Sequence, residues 1–136
     1  MLNPTMAPED APFHAHVYCG AATRGAALAV QERLRQALAK REIAGMRFVG
    51  ELRERPVGPH PLPQFEVHFM QSALPQIMPM LQSAALTVLV HPLTLDDLAD
   101  HTTLAQWIGP PLPLDLSVLD PPGVNQGMAR FGVTDL

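Results

Sequence analysis

Phe13-His14-Ala15-His16-Val17-Tyr18-Cys19 is the stretch on which the fold turns. Its residues alternate strictly, so Phe13, Ala15, Val17 and Cys19 share one side of an extended chain, and His14, His16 and Tyr18 share the other. Gly20 ends this strand. A helix follows, with Thr23 as its N-cap and Ala27, Val30, Leu34, Ala37 and Leu38 as an apolar stripe at helical spacing. Lys40 and Arg41 suit its C-terminal end, where cations complement the helix dipole. Gly45 then turns the chain into a second strand, Met46–Arg53.

Proline placement marks the remaining elements. Residues 13–55 contain no proline, whereas 56–63 contain four and 110–122 contain five, so the last two stretches read as loop or extended arm. A third strand alternates Phe65, Val67 and Phe69 with Glu66, His68 and Met70. Residues 72–84 predict a helix kinked or divided at Pro79, because proline in a regular interior costs about 3 kcal/mol. Leu86 to His91 is the fourth strand, stopped by Pro92. Thr94-Leu95-Asp96-Asp97 resembles a capping box opening a short helix to about His101, and Leu104, Trp107 and Ile108 continue a helical face to Gly109. The order β-α-β-β-α-β is the ferredoxin-like α+β arrangement, an antiparallel sheet with both helices on one face. The expected organisation is a leader over 1–12, a core over 13–109 and a proline-rich C-terminal arm over 110–136.

Composition narrows the function. The 136 residues carry nine basic against thirteen acidic side chains, for a net charge of −4, which fits neither a nucleic-acid surface nor a polybasic membrane surface. The single cysteine, Cys19, excludes an intramolecular disulfide and a cysteine-built metal cluster. The N-terminus lacks a basic region and an apolar core, and no apolar run approaches a membrane span, so a cytoplasmic setting is expected. Six histidines in so short a chain are the informative excess.

In a ferredoxin-like sheet the first strand lies between the third and fourth. Its helix-packed side should be Phe13, Ala15 and Val17 against Phe65, Val67 and Phe69. The period of two then gathers His14, His16 and Tyr18 with Glu66, His68, Leu89 and His91 on the opposite face. That face needs cover, from the C-terminal arm or from a second subunit. A homodimer is expected on the same ground and on the exposed strand edge, with Leu112, Leu114 and Leu116 of the arm placed to wrap a partner. Imidazoles with a carboxylate suit a first-row divalent metal, either the iron(II) of two-histidine-one-carboxylate sites or zinc. His60, in Gly-Pro-His-Pro, is held rigidly at the rim or is part of an ordinary turn. His101 follows Asp97 by four residues, so a helix lets the carboxylate fix its tautomer. Asp96, Asp97 and Asp100 read as first-turn dipole partners rather than ligands, Trp107 as a packing residue, and Arg47 and Arg53 as candidates to meet an anionic substrate at the rim.

Phe13-His14-Ala15-His16-Val17-Tyr18, Gly58-Pro59-His60-Pro61, Gln64-Phe65-Glu66-Val67, His91-Pro92-Leu93-Thr94 with Asp97 and Asp100-His101, and Trp107-Ile108-Gly109 together resemble the DOPA 4,5-dioxygenase family. The resemblance runs from about residue 13 to 115. It departs from the family pattern at Leu95, where a glycine is expected, and at Cys19, where an aromatic is expected. The resemblance implies extradiol cleavage of a DOPA-like catechol by Fe(II) and O2. It implies His16, His68 and His91, with Glu66, as the metal set, and His14, His60 and His101 as acid/base or substrate-positioning residues. Two other functions fit the same residues: a small-molecule or metal-binding module without turnover, and a different metal-assisted reaction in the same pocket.

Overall fold

A computed structural model describes residues 11–133, so most of the expected leader lies outside the described residues. Five antiparallel strands form one sheet in the order β2-β3-β1-β4-β5. They are β1 (Pro12–Tyr18), β2 (Met46–Val49), β3 (Gln64–Met70), β4 (Val88–Pro92) and β5 (Gln106–Ile108). The helices are α1 (Arg24–Ala39), α2 (Leu74–Gln82), α3 (Asp97–Asp100) and α4 (Gln126–Ala129). As the ferredoxin-like order requires, β1 is central: Ala15 pairs with Val67 on one side and Val90 on the other. The core lies between this apolar face and α1 and α2, where Ala15, Val17, Leu34, Phe65, Val67, Ile77 and Val88 are fully buried. Cys19 belongs to this core. Among the described residues, no helix is long and apolar enough to cross a membrane.

α1 is long because its run of alanine and straight-chain residues holds no proline and keeps one face apolar. It ends with the Arg41 N–H bonded to the Leu38 carbonyl at 3.2 Å and the Glu42 N–H bonded to the Ala37 carbonyl at 2.9 Å. This is a Schellman closure, with Arg41 in the left-handed position (φ 54°) that glycine usually takes.

The structure corrects the sequence expectation at four places. β2 stops at Val49, and a register shift between Met46 and Phe48 breaks its alternation, turning Phe48 onto the histidine face. α2 is not divided at Pro79. A 3-10 turn over Gln71–Ala73 precedes it, and buried Ile77 and Leu81 hold the helix on the core across the proline. The cap of α3 is Asp96, which accepts the Ala99 N–H at 3.0 Å, while Thr94 Oγ1 accepts the Asp96 N–H. Leu104–Ile108 is not helical: Gln106–Ile108 forms β5, covering the edge of β4 with Leu89 opposite Trp107. Three residues are too few for periodicity to separate strand from helix, and the unpaired β4 edge decided the matter. Leu95 is exposed and takes no left-handed φ, so the missing glycine costs no backbone strain.

The histidine face is covered by the chain's own C-terminal segment. Phe131 stacks on His68 and His14 with ring centroids 5.6 Å and 6.3 Å apart, and the Gly132 N–H donates to His68 Nδ1 at 2.9 Å. The need to cover that face, one of the two grounds for expecting a dimer, is thus met within one chain. Asp100 ties the cover to the sheet end. It is fully buried and accepts from the Thr94 N–H (2.9 Å), the Thr94 hydroxyl (2.7 Å) and Asn125 Nδ2 (3.0 Å). Asp100→Ala leaves these donors unmatched and should cost about 2–4 kcal/mol in urea unfolding, with residues 119–133 becoming protease-sensitive. Unchanged unfolding would show that the carboxylate is dispensable. Arg41→Gly, which relieves the left-handed position, should stabilise by about 0.5–1 kcal/mol in the same assay.

Candidate metal centre

Because β1 is flanked by β3 and β4, His14 stands opposite both His68 and His91, and His16 stands opposite Glu66 and Leu89. All four sheet histidines therefore point to the same side, as the alternation requires. His60 arrives from the proline-rich loop and His101 from the end of α3, and both are buried beside the others. The His16 and His60 rings lie 4.1 Å apart between centroids, and those of His91 and His101 4.4 Å apart. Together with residues of the C-terminal segment, they line a cavity of about 280 Å³.

Hydrogen bonds assign the ring tautomers. His91 Nδ1 donates to the Pro92 carbonyl at 2.8 Å, and His16 Nδ1 faces the Gln64 amide oxygen at 3.0 Å. Each ring then carries its proton on Nδ1 and a lone pair on Nε2. Yet the two Nε2 atoms face each other at 3.0 Å, so neither has a proton to give the other. His14 repeats the pattern, with Nδ1 at 3.4 Å from the Glu66 carboxylate and a buried Nε2 that has no hydrogen-bond partner. One donor atom from each of His14, His16 and His91 lies within 4.8 Å of the others. The Nε2 lone pairs of His16 and His91, facing each other out of water with a ring nitrogen of His14 beside them, fit a divalent cation. Imidazole donors suit iron and zinc alike.

A second group within the same distance is His14, Glu66 and His68. Here the nitrogens of His68 are already spent. Nδ1 accepts the Gly132 N–H, so Nε2 carries the proton and donates to Glu66 at 3.0 Å. His68 does not line the cavity, whereas His14, His16 and His91 do. The set implied by the resemblance, His16, His68, His91 and Glu66, thus does not converge as one group. The donors gather as two triads sharing His14, and Glu66 sits behind the rings of His14 and His68.

The remaining two histidines have opposite surroundings. Burial raises the Tyr18 phenol far above its ordinary range, so it keeps its proton and donates to His60 Nδ1 at 2.6 Å. His60 therefore carries its own proton on Nε2, a buried atom with no partner among the described residues. Burial, with the neighbouring imidazoles, also holds the His60 pKa far below its usual range. Burial would lower His101 as well, but its bonds to Asp97 outweigh this and raise its pKa. Nδ1 meets the Asp97 carbonyl at 2.8 Å and the carboxylate at 3.3 Å. Burial raises Asp97 in turn, but the bonds from His101 and the Asp120 N–H leave it lowered. The expected Asp97–His101 pairing is present.

Several contributors were not singled out from sequence. Gln64 continues the β3 alternation of Glu66 and His68, so that signal was available. The β1 alternation puts Tyr18 on the histidine face, but gives no sign that its hydroxyl meets His60. Asn125, Phe131 and Gly132 gave no local signal, since chain reversal alone brings them to the sheet. Arg47 and Arg53 do not line the cavity; the arginine that does is Arg130. Trp107 packs on Tyr18 at 6.0 Å outside the cavity wall.

The fold and the buried imidazole cluster define a small α+β protein with a candidate metal-binding pocket at one sheet face. A sequence model of the Dopa 4,5-dioxygenase family matches residues 13–118, and the chain belongs to that family. Its relatives include a DOPA 4,5-dioxygenase of Amanita muscaria, 38% identical over 66 residues, a match covering 47% of this chain and 29% of that protein. An uncharacterized 21.2 kDa protein of Botryotinia fuckeliana is 42% identical over 76 residues, covering 48% of this chain and 42% of that one. The chain thus spans less than half the length of these curated relatives. A crystal structure from Nostoc punctiforme PCC 73102, described as a "putative dioxygenase", superposes with a TM-score of 0.65 at 34% identity, covering 81% of this chain and 91% of that chain.

Burial lowers the His16 pKa from 6.5 to about 4 and those of His14 and His91 well below 6.5. A depressed folded-state pKa gives stability that is present above 6.5 and lost as the pH falls toward 4. For His16 alone the difference corresponds to about 3 kcal/mol. His101 acts in the opposite sense, stabilising below its ordinary pKa and losing that contribution as the pH rises. The chelator-treated protein should therefore lose thermal stability steeply between pH 6.5 and 4. A flat melting temperature across that window would show that the cluster protonates without cost.

Proposed function

We propose that the protein is an extradiol-type dioxygenase that binds Fe(II) through His14, His16 and His91 and opens a catechol ring with O2. The observation that carries this is the pair of Nε2 atoms of His16 and His91 at 3.0 Å, both held as lone pairs by acceptors behind them. Membership of the Dopa 4,5-dioxygenase family supports oxygen chemistry as the use of that site. Zinc fits the same imidazoles but has no redox states, so iron suits the reaction better. When bound, iron would supply the Lewis acidity and redox capacity that let O2 react with the ring.

The chain's own residues supply positioning and proton transfer. Asp97 holds His101 Nδ1, which turns Nε2 to the pocket as the acceptor for a catechol hydroxyl proton. Tyr18 holds His60 as the complementary tautomer, with Nε2–H offered to an oxygen of the substrate or of O2. The C-terminal segment limits water at the sheet face, and Glu66 positions His14 rather than binding metal. Both atoms of O2 enter the product, a ring-opened semialdehyde, so no external reductant is consumed.

Anaerobic loading with Fe(II), followed by a dihydroxyphenyl substrate and O2, should give oxygen uptake and a yellow product. His16→Ala and His91→Ala should lose bound metal, on the order of 100-fold in affinity, together with turnover, whereas His68→Gln should retain bound metal. Loss of metal in His68→Gln comparable to that in His16→Ala would overturn the ligand assignment. Tight metal binding with no oxygen uptake across a catechol panel would instead establish a non-catalytic binding module.

A further inference from the structure

One charge on the cavity wall has no role in the ring-opening chemistry. The carboxylates beside the imidazoles are engaged: Asp97 accepts from His101 and from the Asp120 N–H at 2.9 Å, and Asp120 accepts the Gln126 N–H at 2.8 Å. Arg130, directly after α4, is the cavity wall's one guanidinium. It is half-buried, and its side chain forms no hydrogen bond or ion pair with any described residue. Its charge still reaches the pocket, where it helps to lower the Asp97 pKa without bonding to that carboxylate. A guanidinium brought partly out of water with its five donors unspent calls for an external acceptor.

The geometry points to Arg130 as a specificity-determining residue that binds a carboxylate on the substrate's side chain, so that the pocket selects carboxylate-bearing catechols over uncharged ones. The catechol half of this statement rests on the function proposed above; the carboxylate half does not. A planar fork suits a carboxylate because both oxygens are met at once, which an ammonium cannot do. The cavity, about 280 Å³, lies at the small end of ligand sites, with room for one substituted ring rather than a polymer. The family match ends at residue 118, so Arg130 lies outside the segment on which membership rests.

The test separates carboxylate binding from turnover. In the full chain, titration calorimetry with 3-phenylpropanoate and with its uncharged amide needs neither catechol hydroxyls nor O2. Arg130→Ala should raise Kd at least about tenfold for the acid and less than about twofold for the amide, with Arg130→Lys intermediate because it keeps charge and loses the fork. Since the side chain carries no internal hydrogen bond, the melting temperature should hold; if Arg130→Ala unfolds, Arg130→Lys and Arg130→Gln carry the comparison. In turnover, 3-(3,4-dihydroxyphenyl)propanoate should be preferred to 4-methylcatechol, and Arg130→Ala should remove that preference through KM with kcat nearly unchanged. Equal Kd for acid and amide in the unmodified protein, or equal losses for both in Arg130→Ala, overturns the inference. Arg130-dependent carboxylate binding without ring cleavage upholds it while overturning the proposed function. Turnover indifferent to Arg130 does the reverse.

Discussion

Six imidazoles packed out of water at one sheet face impose a hydrogen-bonding problem, because each neutral ring has one nitrogen that must donate and one that must accept. Around this cluster the molecule meets the donors with backbone and side-chain oxygens: the Pro92 and Asp97 carbonyls, the Gln64 amide and the Glu66 carboxylate. The acceptors are treated differently. His68 Nδ1 receives the Gly132 N–H and His60 Nδ1 receives the Tyr18 hydroxyl, while the Nε2 atoms of His16 and His91 are left facing each other with a ring nitrogen of His14 nearby. Burial without protonation is what makes those lone pairs available to a metal, and the same burial depresses the pKa of each ring.

The C-terminal segment links this cluster to the rest of the fold. Asn125 bonds Asp100 and Thr94 at the start of α3, Gly132 bonds His68, and Phe131 lies over His14 and His68. The helix that carries His101, the sheet that carries the proposed ligands and the segment that carries Arg130 are thus fastened at shared points. A change in one should be felt at the others through these few bonds. The family match spans residues 13–118 and so includes all six histidines, while Asn125, Gln126, Gly127 and Arg130 complete the cavity wall from beyond it.

Much of the candidate site was legible because a central strand sorts residues by a period of two. Once β1 was placed between β3 and β4, His14, His16, His68 and His91 had to share a face. The Asp97–His101 pair was legible from helical spacing. Tautomers were not, because they depend on which acceptor lies behind each ring, and those acceptors come from other strands or from the chain reversal at the C-terminus. The bond from the Gly132 N–H to His68 Nδ1 is the clearest example, and no local pattern announces that contact.

The sequence by itself determined the order of the main elements and the apolar and imidazole faces of the sheet, since both follow from local periodicity, and its composition supplied the excess of histidine that lines the candidate pocket. Only the tertiary structure decided that β5 closes the edge of β4, that Asp100 is a buried anchor rather than a dipole partner, and that Arg130 rather than Arg47 or Arg53 lines the pocket. Each of those outcomes depends on groups far apart in the chain competing for the same partner, and spacing along a sequence carries no record of that competition.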